Sequence, residues 1–185
     1  MDDRQDNDLL IAIAAQDMQA LSEFYRRHQR RVYHFVLSKL NDPFTASDVL
    51  NDTMLEVWRS AGRFQGKARV TTWLLGIAHH KVLDLWRQQG RRQFTELDET
   101  MIDESPGADI EALTLAVRNK ERLAQCMARL SSEHREILHL VFFEELNYGD
   151  ISRIIDVPEG TVKSRVHHAK KLIKHYLTAA GMEAE

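Results

Sequence analysis

Residues 148–177, YGDISRIIDVPEGTVKSRVHHAKKLIKHYL, leave few folds open. Ile151, Ile154 and Ile155, then Val162, Val166, Ala169, Ile173 and Leu177, place apolar side chains at helical spacing on both sides of a short break. Asn147 followed three residues later by Asp150 resembles a capping box that opens the first helix. The break is Asp156-Val157, and Pro158 suits the first turn of the next helix. From Gly160 to Met182 there are five Lys/Arg and three His but no Asp or Glu. A basic second helix behind a short first one predicts a helix-turn-helix, whose second helix enters a groove of DNA.

The overall charge argues only weakly against that reading. The chain of 185 residues has a net charge of −3, but the charge is unevenly placed. Residues 1–92 are net +3, residues 93–113 net −7 and residues 114–185 net +1. It is the local patch, not the total, that meets nucleic acid. Residues 93–113 have no basic side chain, no sustained periodicity and a Ser105-Pro106-Gly107 break, which predicts a flexible acidic linker. The expected fold is all-α: a helical domain at 1–92, the linker at 93–113 and a second helical domain at 114–185. The three prolines are far apart, which leaves room for long helices. A lone cysteine, Cys126, excludes an internal disulfide and a multi-cysteine zinc site, and reads as a small core residue. The acidic start has no signal-peptide pattern, and no apolar run approaches the roughly 20 residues that span a bilayer, so a cytoplasmic protein is expected.

Residues 8–40 carry helical apolar spacing that breaks near Asp17, giving two helices ended by the turn signal Asn41-Asp42-Pro43. In the next helix Thr45 or Ser47 is the expected cap. Asp48, Asp52 and Glu56 then fall at i, i+4 and i+8 on one face, with Val49, Leu50, Thr53, Val57 and Trp58 on the buried side. A solvated surface and a docking face for a basic partner both fit these carboxylates. Metal fits less well, because no histidine or second carboxylate pair completes a ligand set.

Between Arg63 and Arg92 there are seven basic residues and one acid, Asp84. A helix is expected from about Thr72, with Leu74, Ala78, Val82 and Leu85 inward. Phe64, Trp73 and Trp86 are interleaved with the bases, a combination suited to holding an unpaired strand and stacking its bases. Trp58 and Trp86 also read as ordinary core residues, whereas Phe64 sits in a loop between Gly62 and Gly66 with less reason to be apolar. In the second domain a helix from about Leu115 to Leu130, a cap at Ser131-Ser132-Glu133 and a helix at 137–143 lead into the helix-turn-helix.

Three stretches, taken in order, resemble the sigma-70 family and its small extracytoplasmic-function (ECF) group. ASDVLNDTMLEVWR is similar to that family's core-polymerase-binding helix, RFQGKARVTTWLLGIAHHKVLDLWR to its minus-ten-reading segment, and PEGTVKSRVHHAKKLI to its minus-thirty-five-reading helix. The resemblance covers essentially the whole chain. It implies an alternative sigma factor, bacterial and cytoplasmic, that directs core RNA polymerase to promoters and helps to open the minus-ten element. The resemblance implies no catalytic residues, cofactor, metal, small-molecule substrate or membrane insertion. Asp48, Asp52, Glu56 and Trp58 would meet the beta and beta-prime subunits. Arg63, Phe64, Lys67, Thr72, Trp73, Ile77, His80, Lys81 and Arg87 would hold single-stranded minus-ten DNA around a flipped base. Thr161, Lys163, Ser164, Arg165, His167, His168 and Lys171 would read double-stranded minus-thirty-five DNA. The resemblance also implies control by an anti-sigma factor in a stress response.

Some residues depart from the family's usual pattern: His80 where asparagine is frequent, Asp156 where glycine is frequent, and His167 and His168 on the reading helix. Asp156 can take the left-handed turn conformation at modest cost. A stand-alone helix-turn-helix repressor or activator is the competing reading, but it leaves the acidic helix and residues 63–92 without a role. A helical enzyme would need an acid/base pair, a phosphate loop or a nucleophile motif, none of which the sequence offers.

Overall fold

The computed structural model describes residues 3–90 and 120–179, and all its described regular elements are helices. The first four are α1 (Asp3–Ala14), α2 (Met18–Leu40), α3 (Pro43–Ser60) and α4 (Val70–Gln88), with a 3-10 turn at Ala61–Arg63. The second four are α5 (Lys120–Ala128), α6 (Ser132–Phe142), α7 (Tyr148–Ile155) and α8 (Glu159–Ala179). The acidic stretch 93–113, expected as a linker, lies outside the described residues, as does the start of the helix expected from about Leu115.

Local chemistry sets the helix ends. Asp17 accepts from the Gln19 and Ala20 amides at 2.8 and 3.1 Å, which separates α2 from α1 where the apolar pattern broke. Asn41 ends α2 in the left-handed conformation at φ 53°. The cap of α3 is Asp42, not Thr45 or Ser47: its carboxylate accepts from the Phe44 and Thr45 amides, both at 3.3 Å, and from the Thr45 hydroxyl. Pro43 takes the first helical position, where its fixed φ is already helical, and so starts the helix earlier than expected. Ser47 instead donates to the Pro43 carbonyl. Helix α4 begins at Val70 rather than near Thr72. Ser131 caps α6, and Asn147 accepts from the Asp150 amide at 2.8 Å to cap α7. Asp156 takes the left-handed turn at φ 53°, and Pro158 precedes α8 while its carbonyl accepts the Thr161 and Val162 amides.

The apolar stripes pack as their spacing requires. Phe24, Val32, Phe35 and Val36 of α2 are buried with Val49, Met54 and Val57 of α3 and Leu74, Ala78 and Val82 of α4. In the second group Ile151, Ile154 and Ile155 meet Val162, Val166, Ala169, Ile173 and Leu177, and Cys126 is buried beside them. Trp58 and Trp86 are half-buried against this core, as is Leu85.

The two groups are packed together, α2 against α6 and α4 against α7. Several polar contacts also cross between the groups. Arg135 donates to the Ser38 and Lys39 carbonyls at 2.7 and 3.2 Å, satisfying acceptors at the C-terminal end of α2 that the helix itself leaves open. Arg31 pairs with Glu144 at 2.6 Å and Arg69 with Asp150 at 3.0 Å. Between them Lys39, His79 and Glu136 form a buried cluster.

Candidate nucleic-acid interface

On α3, Asp48 and Asp52 are exposed and neither makes an ion pair among the described residues. Glu56 is different. Its carboxylate accepts from Lys81 of α4 at 3.0 Å, and that hydrogen bond holds its pKa below the usual range against a smaller effect of burial. The fold therefore supplies Glu56 with a basic partner 25 residues away, and the free acidic face narrows to Asp48 and Asp52. Two residues passed over in the sequence flank them: Phe44 is 86% exposed and Leu55 45%. Steps of four, four and three residues put Phe44, Asp48, Asp52 and Leu55 within an arc of about 80° at 100° per residue. A large apolar side chain at the polar end of a helix was the available signal.

Seven of the nine minus-ten candidates line one cavity of about 400 Å³: Arg63, Phe64, Lys67, Thr72, Trp73, Ile77 and His80. The loop between the 3-10 turn and α4 forms one wall, with Gly66 in the left-handed region at φ 68°. Phe64 closes on Trp73, with ring centroids 5.2 Å apart and planes inclined at 52°. Thr72 is buried, and its hydroxyl has no hydrogen-bond partner among the described residues. Gly76 also lines the cavity, where a Cβ would meet nothing within 4 Å, so the floor stays open. Partial burial, with a smaller contribution from His79, pushes the His80 pKa down, which favours a neutral ring. Lys81 and Arg87 do not join this cavity. Lys81 serves Glu56, and Arg87 pairs with Asp84 at 2.8 Å on the surface. An unexpected lining residue is Arg153, contributed by α7 of the other helical group.

The apolar face of α8 turns the reading candidates outward. Lys163, Ser164, His167 and His168 are exposed, and Thr161, Arg165 and Lys171 are half-buried. Arg165 points back toward Glu133 at 3.6 Å and lines a second cavity, of about 660 Å³, between the two helical groups. The His167 and His168 rings stand edge to face with centroids 5.7 Å apart. No group of three or more His, Cys, Asp or Glu residues arranged to hold a metal ion occurs among the described residues.

The family described as Sigma-70 region 2 matches residues 24–92, and Sigma-70, region 4 matches residues 120–173. The chain is 30% identical over 173 residues to the ECF RNA polymerase sigma factor SigK of Mycobacterium bovis (strain BCG / Pasteur 1173P2), covering 91% of each chain. The SigK of Mycobacterium tuberculosis (strain ATCC 25177 / H37Ra) gives the same figures. In fold the chain is similar to CnrH, solved with the cytosolic domain of CnrY, at a TM-score of 0.65 and 19% identity over 95% of this chain and 98% of that one. It is also similar to the sigma factor RpoE of Bartonella quintana, solved with the anti-sigma factor NepR, at 0.60 and 22% over 84% and 97%. The two matched regions, the full-length relatives and the shared helical fold together establish that this chain belongs to the ECF RNA polymerase sigma factors of the sigma-70 family.

Proposed function

We propose that the chain binds core RNA polymerase through the Asp48 and Asp52 face of α3, captures an unpaired minus-ten base in the 63–80 cavity and reads the minus-thirty-five duplex with α8. The observation that carries this reading is the cavity between the loop and α4. Its aromatic wall of Phe64 and Trp73 can stack a base, and stacking contributes about 1–3 kcal/mol per base. The unpartnered Thr72 hydroxyl can bond the base edge, which removes the cost of leaving that buried group unsatisfied. Arg63 and Lys67 at its rim suit the flanking phosphates. A stand-alone repressor has no use for such a cavity.

On α8, Lys163, Ser164, His167 and His168 suit base edges and phosphates of duplex DNA, as the N-terminal half of a recognition helix does. The acidic residues of 93–113 suit the basic path of nascent RNA through polymerase, joining domains at 1–92 and 114–185. The complex of RpoE with the anti-sigma factor NepR supports control of this chain by an anti-sigma factor, which we place in a stress response. Membership of the ECF sigma factors supports a cytoplasmic, non-enzymatic initiation factor; no helix among the described residues is long and apolar enough to cross a membrane. The test is reconstitution: purified chain added to core polymerase should form a holoenzyme and start transcription from a cognate promoter. Failure to bind core would overturn the reading.

A further inference from the structure

Helix α1 carries none of the residues assigned above to polymerase or DNA, and none of its described residues lines the cavity of Phe64 and Trp73. It packs on α2, α3, α4 and the 3-10 turn Ala61–Arg63. Leu10 and Ile13 are buried in the core, and the Cβ of Ala14 lies 3.6 Å from where a Cβ on Gly62 would stand. The end of α1 thus rests against the turn from which the cavity's loop departs.

That loop depends on its ends for its position. Residues 62–69 are exposed or half-buried, whereas Ala61 and Val70 on either side of them are buried. The Phe64 amide donates to the Ala61 carbonyl at 3.1 Å, so the placement of Ala61 passes directly to Phe64. Phe64 in turn faces Trp73 of α4 with ring centroids 5.2 Å apart. A base held between side chains of two separate elements is bound well only when both are fixed to within about 0.5 Å.

What fixes α1 is a buried clamp on α2. A helix of 12 residues is marginal on its own, so α1 keeps its place through tertiary contacts. Asp6 and His28 are both buried, with His28 Nε2 3.2 Å from one Asp6 carboxylate oxygen. Arg27 donates to the other Asp6 oxygen at 3.4 Å and to the Gln5 side chain at 3.1 Å. Burial pushes the His28 pKa down, which favours a neutral ring, and Arg27 also pairs with Glu23 at 2.8 Å. Removing the Asp6 carboxylate therefore loosens α1 without leaving an unpaired cation on α2.

We propose that α1 buttresses the loop wall of the minus-ten cavity through the turn Ala61–Arg63, with Asp6 as the positioning residue that holds α1 against it. The helix acts on strand capture through Phe64 and not by touching DNA. The effect on promoter opening rests on the assignment of the cavity to an unpaired base. The support of Phe64 by α1 does not.

Two variants of the full chain test it. Asp6→Ala should raise hydrogen exchange at the Phe64 amide at least about tenfold in the free protein. Bound to core polymerase, it should slow opening of the minus-ten region at least about fivefold by permanganate reactivity. Its affinity for core and for a minus-thirty-five duplex should stay within about twofold of the parent. The second variant adds Ala14→Cys and Gly62→Cys to Asp6→Ala. The 3.6 Å separation of their Cβ positions suits a disulfide, and Cys126 is buried. Once cross-linked, as verified by thiol titration, this chain should regain parental exchange and opening, and reduction should abolish the recovery. Unchanged exchange at Phe64 in Asp6→Ala, or exchange that the cross-link does not restore, overturns the buttress. So does a loss of opening that follows a loss of core binding and persists in the cross-linked chain. Raised exchange with parental opening overturns the role in strand capture. Normal opening by Trp73→Ala would instead remove the cavity reading, and the exchange data would then decide the buttress alone.

Discussion

Arg69 and Asp150 lie 81 residues apart in sequence and are joined by a 3.0 Å ion pair that ties the start of α4 to the first helix of the helix-turn-helix. Asp150 is buried and engaged on every side: its amide is capped by Asn147, and its carboxylate receives Asn147, Arg153 and Arg69. One residue thus shapes the end of a DNA-reading motif and fixes where that motif sits against the other half of the chain. The pair ties the two helical groups to one another, which gives each of the following substitutions a defined background.

Asp48→Lys combined with Asp52→Lys should weaken binding to core polymerase at least tenfold, because it reverses the exposed charge opposite a basic partner. Both side chains are exposed, so thermal stability should change by no more than about 0.5 kcal/mol. A binding titration against core, alongside a melting curve, checks both. Normal binding would mean that the face is merely solvated.

Trp73→Ala should impair promoter opening while leaving duplex binding by α8 intact. The ring faces Phe64 across the cavity, and its loss removes about 1–3 kcal/mol of base stacking. Permanganate footprinting of the minus-ten region reports the opening, and a duplex minus-thirty-five probe serves as the control. Unimpaired opening would rule out Trp73 as a stacking wall.

Lys163→Ala should relax selectivity in the upstream promoter element, since Lys163 is exposed near the N-terminal end of α8. Selection from a randomised upstream library gives the readout. A flattened preference at one or two positions is expected; weaker binding with an unchanged preference would make Lys163 a phosphate contact.

Acid should destabilise the fold through His134. Burial lowers its pKa from the ordinary 6.5, with His168 and Arg165 adding to the effect, and its Nε2 is buried without a hydrogen-bond partner among the described residues. The unfolded chain then takes up a proton that the folded chain resists, so stability is lost as pH falls from about 6.5 toward the lowered value. His134→Leu should flatten the dependence of melting temperature on pH across that window. An unchanged slope would assign the acid sensitivity to other groups.

Much of the fold was written locally. The helix-turn-helix core of Ile151, Ile154, Ile155, Val162, Val166 and Ala169 was legible because helical periodicity and the Asn147 cap are properties of neighbouring residues. So was the left-handed turn at Asp156. The start of α3 was misplaced because Thr45 or Ser47 was read as its cap and Asp42 only as part of a turn, whereas Pro43 at the first helical position makes Asp42 the cap. Phe44 and Leu55 were missed because apolar spacing cannot say which of two faces a helix will leave uncovered.

The sequence by itself determined the helices, their caps and the chemical character of each exposed face, since these depend on residues within one or two turns of one another. Tertiary structure alone decided which charges meet. Lys81 was expected on DNA and is held by Glu56, 25 residues away, while Lys39 and Glu136 are brought together across 97. Periodicity marks a side chain as inward or outward but carries no information about its partner. The partner depends on how the buried stripes of separate helices pack, and that packing assembles the cavity lined by Phe64, Thr72 and Trp73 and sets one helical group against the other.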